Sequence, residues 1–173
     1  MTPPPYALRI DTDVTKLREA DRLLQDLAAE LALPEDVFGC THLVREAGRR
    51  RVALSLAGRS RAVADAVRAR LTAQGHTVTD GTWDEPGRAV LFPGAAALTG
   101  TLTVAELLDR SAIDRVRVLG APDGPGPEAR LVTREFVRPR WEHHELVLAA
   151  MPAAGGTLVP FEDSDPTPCC ADH

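Results

Sequence analysis

The stretch from Tyr6 to Trp83 restricts the fold more than any other part of the sequence. Its apolar residues switch repeatedly between the two-residue spacing of a strand and the three-to-four-residue spacing of a helix. This pattern predicts a strand, a helix, two strands, a helix and a strand, with the strands at residues 6–10, 37–44, 51–57 and 76–79. Such an order predicts one antiparallel sheet that carries both helices on the same face.

Two helices are indicated by both apolar spacing and end signals. The first has an apolar stripe formed by Leu17, Ala20, Leu24, Leu27 and Leu31. Residues 11–13 offer side-chain oxygens for its N-cap, and Pro34 ends it. The second is predicted to be capped by Ser60 and stopped by Gly75.

The order of these elements matches a known supersecondary arrangement. Strand, helix, strand, strand, helix, strand resembles the ferredoxin-like βαββαβ unit, which we assign to residues 1–83. The predicted hairpin of residues 37–44 and 51–57 supplies its inner strands. Units of this kind often associate through their sheet edges, so we expect a homodimer.

The second half of the sequence is predicted to be rich in β-structure. A strand at residues 88–92 precedes a short helix, which opens with the capping-box pair Thr103 and Glu106. Further strands are predicted at residues 116–119, 131–138, 145–150 and 157–161, the last three as a meander. The fold class is therefore α+β, with a β-rich unit at residues 84–161 packed on the first unit and an acidic, proline- and cysteine-containing tail at residues 162–173.

Composition excludes several classes of protein. The net charge of −5 argues against a dedicated nucleic-acid binder, which carries a basic excess to neutralise phosphates. No apolar run approaches the roughly 18 residues that span a bilayer, and no secretory signal is visible. With three cysteines and no disulfide framework, we expect a cytoplasmic protein that does not bind membranes.

The tail contains the densest set of candidate metal ligands. Cys169, Cys170 and His173 combine thiolates with an imidazole, the ligand set that suits zinc or copper. Adjacent cysteines are poorly spaced for one ion, so a ligand from the body of the protein is also needed. Cys40 and His42, two residues apart on one predicted strand face, are the best candidates. A solvated tail is the alternative.

Other candidate sites have simpler structural explanations. Cys40 and His42 could act as nucleophile and base, but between Phe38 and Val44 they are better explained as buried strand residues. His143 and His144 fall where a hairpin must turn.

Two further stretches give weak signals for ligand binding. The loop at residues 93–100 contains glycine but lacks the spacing of a phosphate-binding loop. The arginine-rich segment of residues 49–51 could bind an acidic ligand, whereas stacking of nucleic-acid bases is excluded because residues 51–57 contain no aromatic side chain.

No catalytic arrangement emerges from these residues. The sequence therefore favours a small, non-enzymatic, intracellular binding or regulatory protein that holds a protein partner or a small ligand of unknown identity. It would use its sheet face or its C-terminal half for this. The alternative function is a zinc- or copper-binding protein that uses the C-terminal tail.

Overall fold

A computed structural model describes residues 4–46, 48–82 and 87–164, and it is mixed α+β. Within these residues there are three α-helices: Leu17–Glu30 (α1), Arg61–Ala73 (α2) and Val104–Arg110 (α3). The strands are Tyr6–Asp11 (β1), Phe38–Glu46 (β2), Arg49–Gly58 (β3), Thr77–Asp80 (β4), Arg88–Leu91 (β5), Thr101–Thr103 (β6), Arg115–Val118 (β7), Arg130–Val132 (β8), Arg140–Glu142 (β9), Glu145–Ala153 (β10) and Thr157–Pro160 (β11). The predicted α+β class is confirmed.

The first four strands are antiparallel and follow the order β4-β1-β3-β2. Both long helices pack on one face of these strands. Leu24 of α1 and Leu71 of α2 belong to the same buried cluster as Ile10, Val52 and Leu54 of the sheet. Alternation along each strand explains this placement, because every second side chain points to the helices.

The start of α1 differs from the prediction. Its N-cap is Lys16, which makes no side-chain cap hydrogen bond, so the cap predicted at residues 11–13 is wrong. Thr12 instead attaches the segment that precedes α1 to β3: its Oγ1 donates to the carbonyl of Val52 at 2.7 Å and accepts from the backbone N–H of Val14 at 3.2 Å. The predicted Ser60 cap of α2 is confirmed by the hydrogen bond from the Val63 N–H.

The sheet is larger than the four strands expected for the first half. β2 pairs with β3 on one edge and with β5 on the other, and β5 continues to β9 through Arg88 and Arg140. The described strands thus form one 11-stranded sheet, in the order β4-β1-β3-β2-β5-β9-β10-β11-β8-β6, with β7 beside β10.

The strands predicted to form a three-stranded meander have different boundaries and different pairing in the structure. Residues 131–138 were expected to form one strand, but Arg134 and Glu135 have positive φ, and Phe136 N donates to Thr133 O at 3.1 Å. This turn ends β8 early and leaves a separate β9. β8 and β7 then pair in parallel with β11 and β10.

A second core joins the two halves. Phe38, Cys40 and Ala57, on the sheet face opposite the helices, lie in one cluster with Trp141 and Leu146. The rings of Phe38 and Trp141 are 5.4 Å apart at their centroids. Part of the sheet face that was predicted to bind a ligand or partner is therefore covered by the C-terminal half.

In the second half, the predictions that depend on residues close together in the sequence are confirmed. Thr103 and Glu106 form the capping box of α3: Thr103 Oγ1 accepts from the Glu106 N–H at 3.1 Å, and Glu106 Oε2 accepts from the Thr103 N–H at 2.8 Å. His143 and His144 form the turn between β9 and β10, with φ of 51° and 69°. Within the described ranges, no helix is long and apolar enough to cross a membrane.

Candidate functional site

Cys40 and His42 lie on the same face of β2, as their spacing predicts. Cys40 is paired with Ser55 and His42 with Ala53 across β3. Both side chains are buried, with 3% and 6% of their surface exposed. His42 Nε2 and Ser55 Oγ share a hydrogen bond of 2.8 Å. Because each side chain supplies a hydrogen-bond partner for the other, both polar groups can be buried at little cost in free energy.

The metal-binding hypothesis depends on ligands that lie outside the described part of the chain. In residues 4–46, 48–82 and 87–164, no three side chains of His, Cys, Asp or Glu come together in a metal-binding group. Cys169, Cys170 and His173 lie outside these ranges. Zinc or copper binding by the tail with Cys40 and His42 therefore stays a prediction.

Gly87 lies directly against the His42 ring. A Cβ atom built on Gly87 would lie 2.4 Å from His42 Cε1, closer than real side chains approach. Only glycine fits at this point without a shift of backbone or ring. Beside it is a cavity of about 230 Å³, whose walls include Arg88 and Arg140.

A partly buried cluster of charged side chains, which we call the arginine junction, consists of Arg88, Arg138, Arg140, Asp21 and Glu162. Asp21 of α1 accepts from Arg88 Nη1 at 2.5 Å, from Arg88 Nη2 at 3.0 Å and from Arg138 Nε at 3.1 Å. Glu162 accepts from Arg88 Nε and, at 3.2 Å, from Arg140 Nη2. The junction thus ties α1, β5 and β9 to the chain that follows β11.

Phe136 supports the two inner arginines of the junction. The guanidinium carbon of Arg138 is 4.2 Å from the centroid of the Phe136 ring, and that of Arg88 is 5.8 Å away. A guanidinium group over an aromatic face is stabilised by the charge distribution of the ring. Phe136 is positioned for this by the turn that ends β8.

The two inner arginines differ in how well their charge is compensated. Burial tends to lower the pKa of Arg88, but its hydrogen bonds to Asp21 and Glu162 outweigh burial and raise the pKa above its usual value. For Arg138, burial prevails over the attraction of Asp21 and lowers the pKa. Both side chains remain charged, since an arginine is not deprotonated in a protein. The three arginines of the junction supply positive charge and hydrogen-bond donors, and its two carboxylates accept those bonds.

One feature of the sequence, the position of Asp21 in α1, points to the junction. Asp21 lies four residues after Leu17 and three before Leu24, so it occupies the apolar stripe of α1. A carboxylate on a buried helix face needs a positively charged partner. The pattern could have predicted an arginine facing Asp21, though not that Arg88 and Arg138 would supply it.

An apolar groove lies between the end of α1 and the segment after β5. It has a volume of about 280 Å³ and is lined by Ala28, Leu33, Pro34, Glu35, Val37, Leu91, Phe92 and residues 94–97. Glu35 is the one ionisable side chain among these residues. We call this surface the apolar groove.

Local backbone geometry builds both walls of the apolar groove. On one side, Ala32 has a φ of 46° and Leu33 N donates to Ala28 O at 2.9 Å, which turns the chain back at the end of α1. On the other, the loop at residues 93–100 contains the 3₁₀ turn Ala95–Ala97. Gly94 starts that turn with a φ of 80°, and a Cβ there would lie 2.0 Å from the carbonyl oxygen of Arg110.

A polar cleft of about 510 Å³ remains on the uncovered part of the sheet face. Arg9, Arg45 and Arg51 line it together with Asp11 and Thr77. Of the arginine-rich segment at residues 49–51, only Arg51 is among the lining residues.

Comparison with known proteins does not assign the chain to a family. No protein-family model, curated protein or solved structure matches it. The function must therefore be inferred from the geometry.

Proposed function

We propose that this chain is a non-enzymatic binding or regulatory protein, and that it holds an apolar group of a small ligand or protein partner in the apolar groove. The observation that carries the proposal is the groove itself. Its walls are aliphatic, aromatic or backbone atoms, apart from the side chain of Glu35. A concave apolar surface with few polar groups is the usual form of a ligand site.

The chemistry of the other clusters supports a non-enzymatic function. The His42–Ser55 pair is buried, and both carboxylates of the arginine junction are engaged by guanidinium groups. The groove volume of about 280 Å³ is close to the lower end of the range for small-molecule pockets, roughly 300–1,000 Å³. This size suits a short aliphatic chain, a small ring or one or two side chains of a partner.

Titration with a neutral apolar dye, Nile red, tests the proposal. Ala96 lies at the exposed rim of the groove, so Ala96→Trp should fill the opening and weaken dye binding at least tenfold. Ala69→Trp is the matched control, since Ala69 is an exposed residue of α2 away from the groove. Equal dye affinity in both variants would contradict the proposal.

We also propose that the first half is a ferredoxin-like unit that forms a homodimer. The order β4-β1-β3-β2 and the shared core of α1 and α2 support this assignment. Among the described strands, β4 pairs with β1 alone, and its outer edge is available to a second copy. Pairing at that edge would extend the sheet across the dimer.

Zinc or copper binding is the second proposed function. It rests on the placement of Cys40 and His42, two residues apart on one face of β2 with both side chains buried. The remaining ligands would be Cys169, Cys170 and His173.

A further inference from the structure

The last described residues form an acidic segment, Glu162–Ser164, which we call the acidic strap. It follows β11 and lies against arginines of four separate parts of the fold. Its partners are Arg88 and Arg140 for Glu162, Arg134 for Asp163 and Arg18 for the carbonyl oxygen of Ser164. Three consecutive residues are thus held almost entirely by guanidinium groups.

The arginines beneath the strap have supports of their own. Asp21 binds both Arg88 and Arg138, and both guanidinium groups lie over the ring of Phe136. Arg88 and Arg138 are nearly buried, with 6% and 10% of their side chains exposed. Asp21 therefore gives both arginines a support that is separate from Glu162. Groups fixed in this way bind an incoming anion without the cost of being ordered first.

The charges of the junction favour an anion at the position of Glu162. Its three arginines face two carboxylates, Asp21 and Glu162. Without Glu162, three guanidinium groups would face Asp21 alone. Burial, which outweighs the attraction of Asp21, lowers the pKa of Arg138.

The outer contacts of the strap are exposed. Asp163 Oδ2 accepts from Arg134 Nη1 at 2.6 Å, but 37% and 49% of these two side chains are accessible to solvent. Arg140 is exposed as well. Exposed ion pairs contribute little to stability, because solvent screens them. Asp163 can therefore leave easily, whereas the contacts of Glu162 with Arg88 and Arg140 are the ones that an incoming anion must replace, while Asp21 keeps Arg88 in place.

We propose that the arginine junction is an oxyanion-binding site and that Glu162 occupies it as an internal ligand. The external ligand is a small acidic molecule bearing a phosphate or carboxylate group, and its binding displaces the acidic strap. The site is separate from the apolar groove, and the proposal does not depend on that groove binding anything.

The donors at this position suit a tetrahedral or planar oxyanion. Arg88 Nε and Arg140 Nη2 both donate to the carboxylate of Glu162, one to each oxygen. An oxyanion in the same place would accept these two charge-assisted bonds, which are stronger than bonds between neutral groups. A phosphate carries up to two negative charges and would balance the two excess positive charges left when Glu162 leaves.

The test is calorimetric titration of the full chain with inorganic phosphate and, separately, with succinate, at constant ionic strength. Glu162→Gln removes the internal carboxylate but keeps its shape, and it should bind phosphate at least tenfold more tightly than the unchanged chain. Glu145→Gln is the control, because Glu145 forms an exposed pair with Arg115 on another part of the surface. Its affinity for phosphate should equal that of the unchanged chain.

Two more variants keep the proposal falsifiable. The double variant Arg140→Gln, Glu162→Gln should bind phosphate no more tightly than the unchanged chain, since one of the two hydrogen-bond donors is missing. Asp163→Asn loosens the strap without altering buried groups, and it should give a smaller gain of about two- to fivefold even if Glu162→Gln does not fold. Tighter binding of succinate than of phosphate would identify a carboxylate ligand, and the reverse a phosphate ligand. If the folded variants bind neither anion better than the unchanged chain, the proposal is overturned.

Discussion

Asp21 holds Arg88 with both oxygens of its carboxylate, Oδ1 at 2.5 Å from Nη1 and Oδ2 at 3.0 Å from Nη2. No more than 9% of either side chain is exposed. The pair connects the first helix to β5, across 67 residues of sequence. Together with the packing of Val90 in the helix-side core, it attaches the helix layer of the first half to the strands that lead into the second half.

Replacing Asp21 by alanine should strongly destabilise the protein. The change leaves two guanidinium groups, Arg88 and Arg138, buried without their shared carboxylate. Removing one partner of a buried ion pair costs about 3–5 kcal/mol. Urea unfolding followed by circular dichroism measures this loss. Asp65→Ala, which breaks the exposed pair with Arg61, is the control and should change the free energy of unfolding by less than about 1 kcal/mol.

A methyl group at Gly87 should be poorly tolerated. In Gly87→Ala the new Cβ would lie 2.4 Å from His42 Cε1, so the ring or the backbone must move. Overpacking of this kind costs about 1–3 kcal/mol. Gly126→Ala is the control, because a Cβ there meets no atom within 4 Å. Equal melting temperatures for the two variants would show that the contact is not restrictive.

The capping box of α3 should contribute stability that depends on pH. The backbone N–H of Thr103 lowers the pKa of Glu106 against the opposing effect of desolvation. Since the folded state has the lower pKa, the contribution is present above the unfolded pKa, near 4.5, and is lost as the pH falls through the folded value.

Glu106→Gln therefore tests the capping box. It should reduce stability at pH 7, and the difference from the unchanged chain should shrink by pH 3. Urea midpoints at the two pH values provide the measurement. Glu128→Gln, at an exposed loop position, should show no such difference. A deficit that persists unchanged at pH 3 would mean that the charge of Glu106 is not what stabilises α3.

The proposed dimer should be disrupted at β4. Thr79 is exposed on this edge strand, and Thr79→Lys would place like charges close together when two copies pair. Sedimentation equilibrium should then show a monomer where the unchanged chain is dimeric. Thr99→Lys, at an exposed loop position remote from β4, should remain dimeric. A monomeric unchanged chain would contradict pairing at this edge.

The metal hypothesis predicts near-stoichiometric zinc or copper in protein purified without a histidine tag. Deletion of residues 165–173 should remove the metal and lower the melting temperature, since binding to the folded state adds to its stability. Elemental analysis and thermal melts of both forms are the measurements. His42→Gln, which alters a proposed ligand in the body, should lower the metal content as well. Metal that survives the deletion would refute a site in the tail.

Short-range features of the fold followed from the sequence, whereas long-range pairings did not. The stripe of α1, the Ser60 cap and the capping box of α3 depend on residues within one or two turns of each other. The pairing of β2 with β5 joins segments nearly 50 residues apart, and no local pattern specifies it. Similarly, nothing in residues 131–138 marks the positive φ of Arg134 and Glu135, because both residue types also fit a strand.

The same distinction between short-range and long-range features applies to the candidate sites. The shared face of Cys40 and His42 was predictable from strand alternation, but the hydrogen bond to Ser55 needed the β2–β3 register. The apolar groove combines residues near position 30 with residues near position 95, so its shape depends on tertiary packing. The acidic strap is visible in the sequence only as an acidic segment, and its arginine partners lie 22 to 146 residues away along the chain.

The position of β2, paired on both of its edges, has a consequence for how the chain can be divided. A cut between residues 82 and 87 would leave one fragment with the bare edge of β2 and the other with the bare edge of β5. Exposed strand edges of this kind pair readily with any suitable strand. The two fragments should therefore reassociate into the native sheet when mixed, and each should aggregate when kept alone.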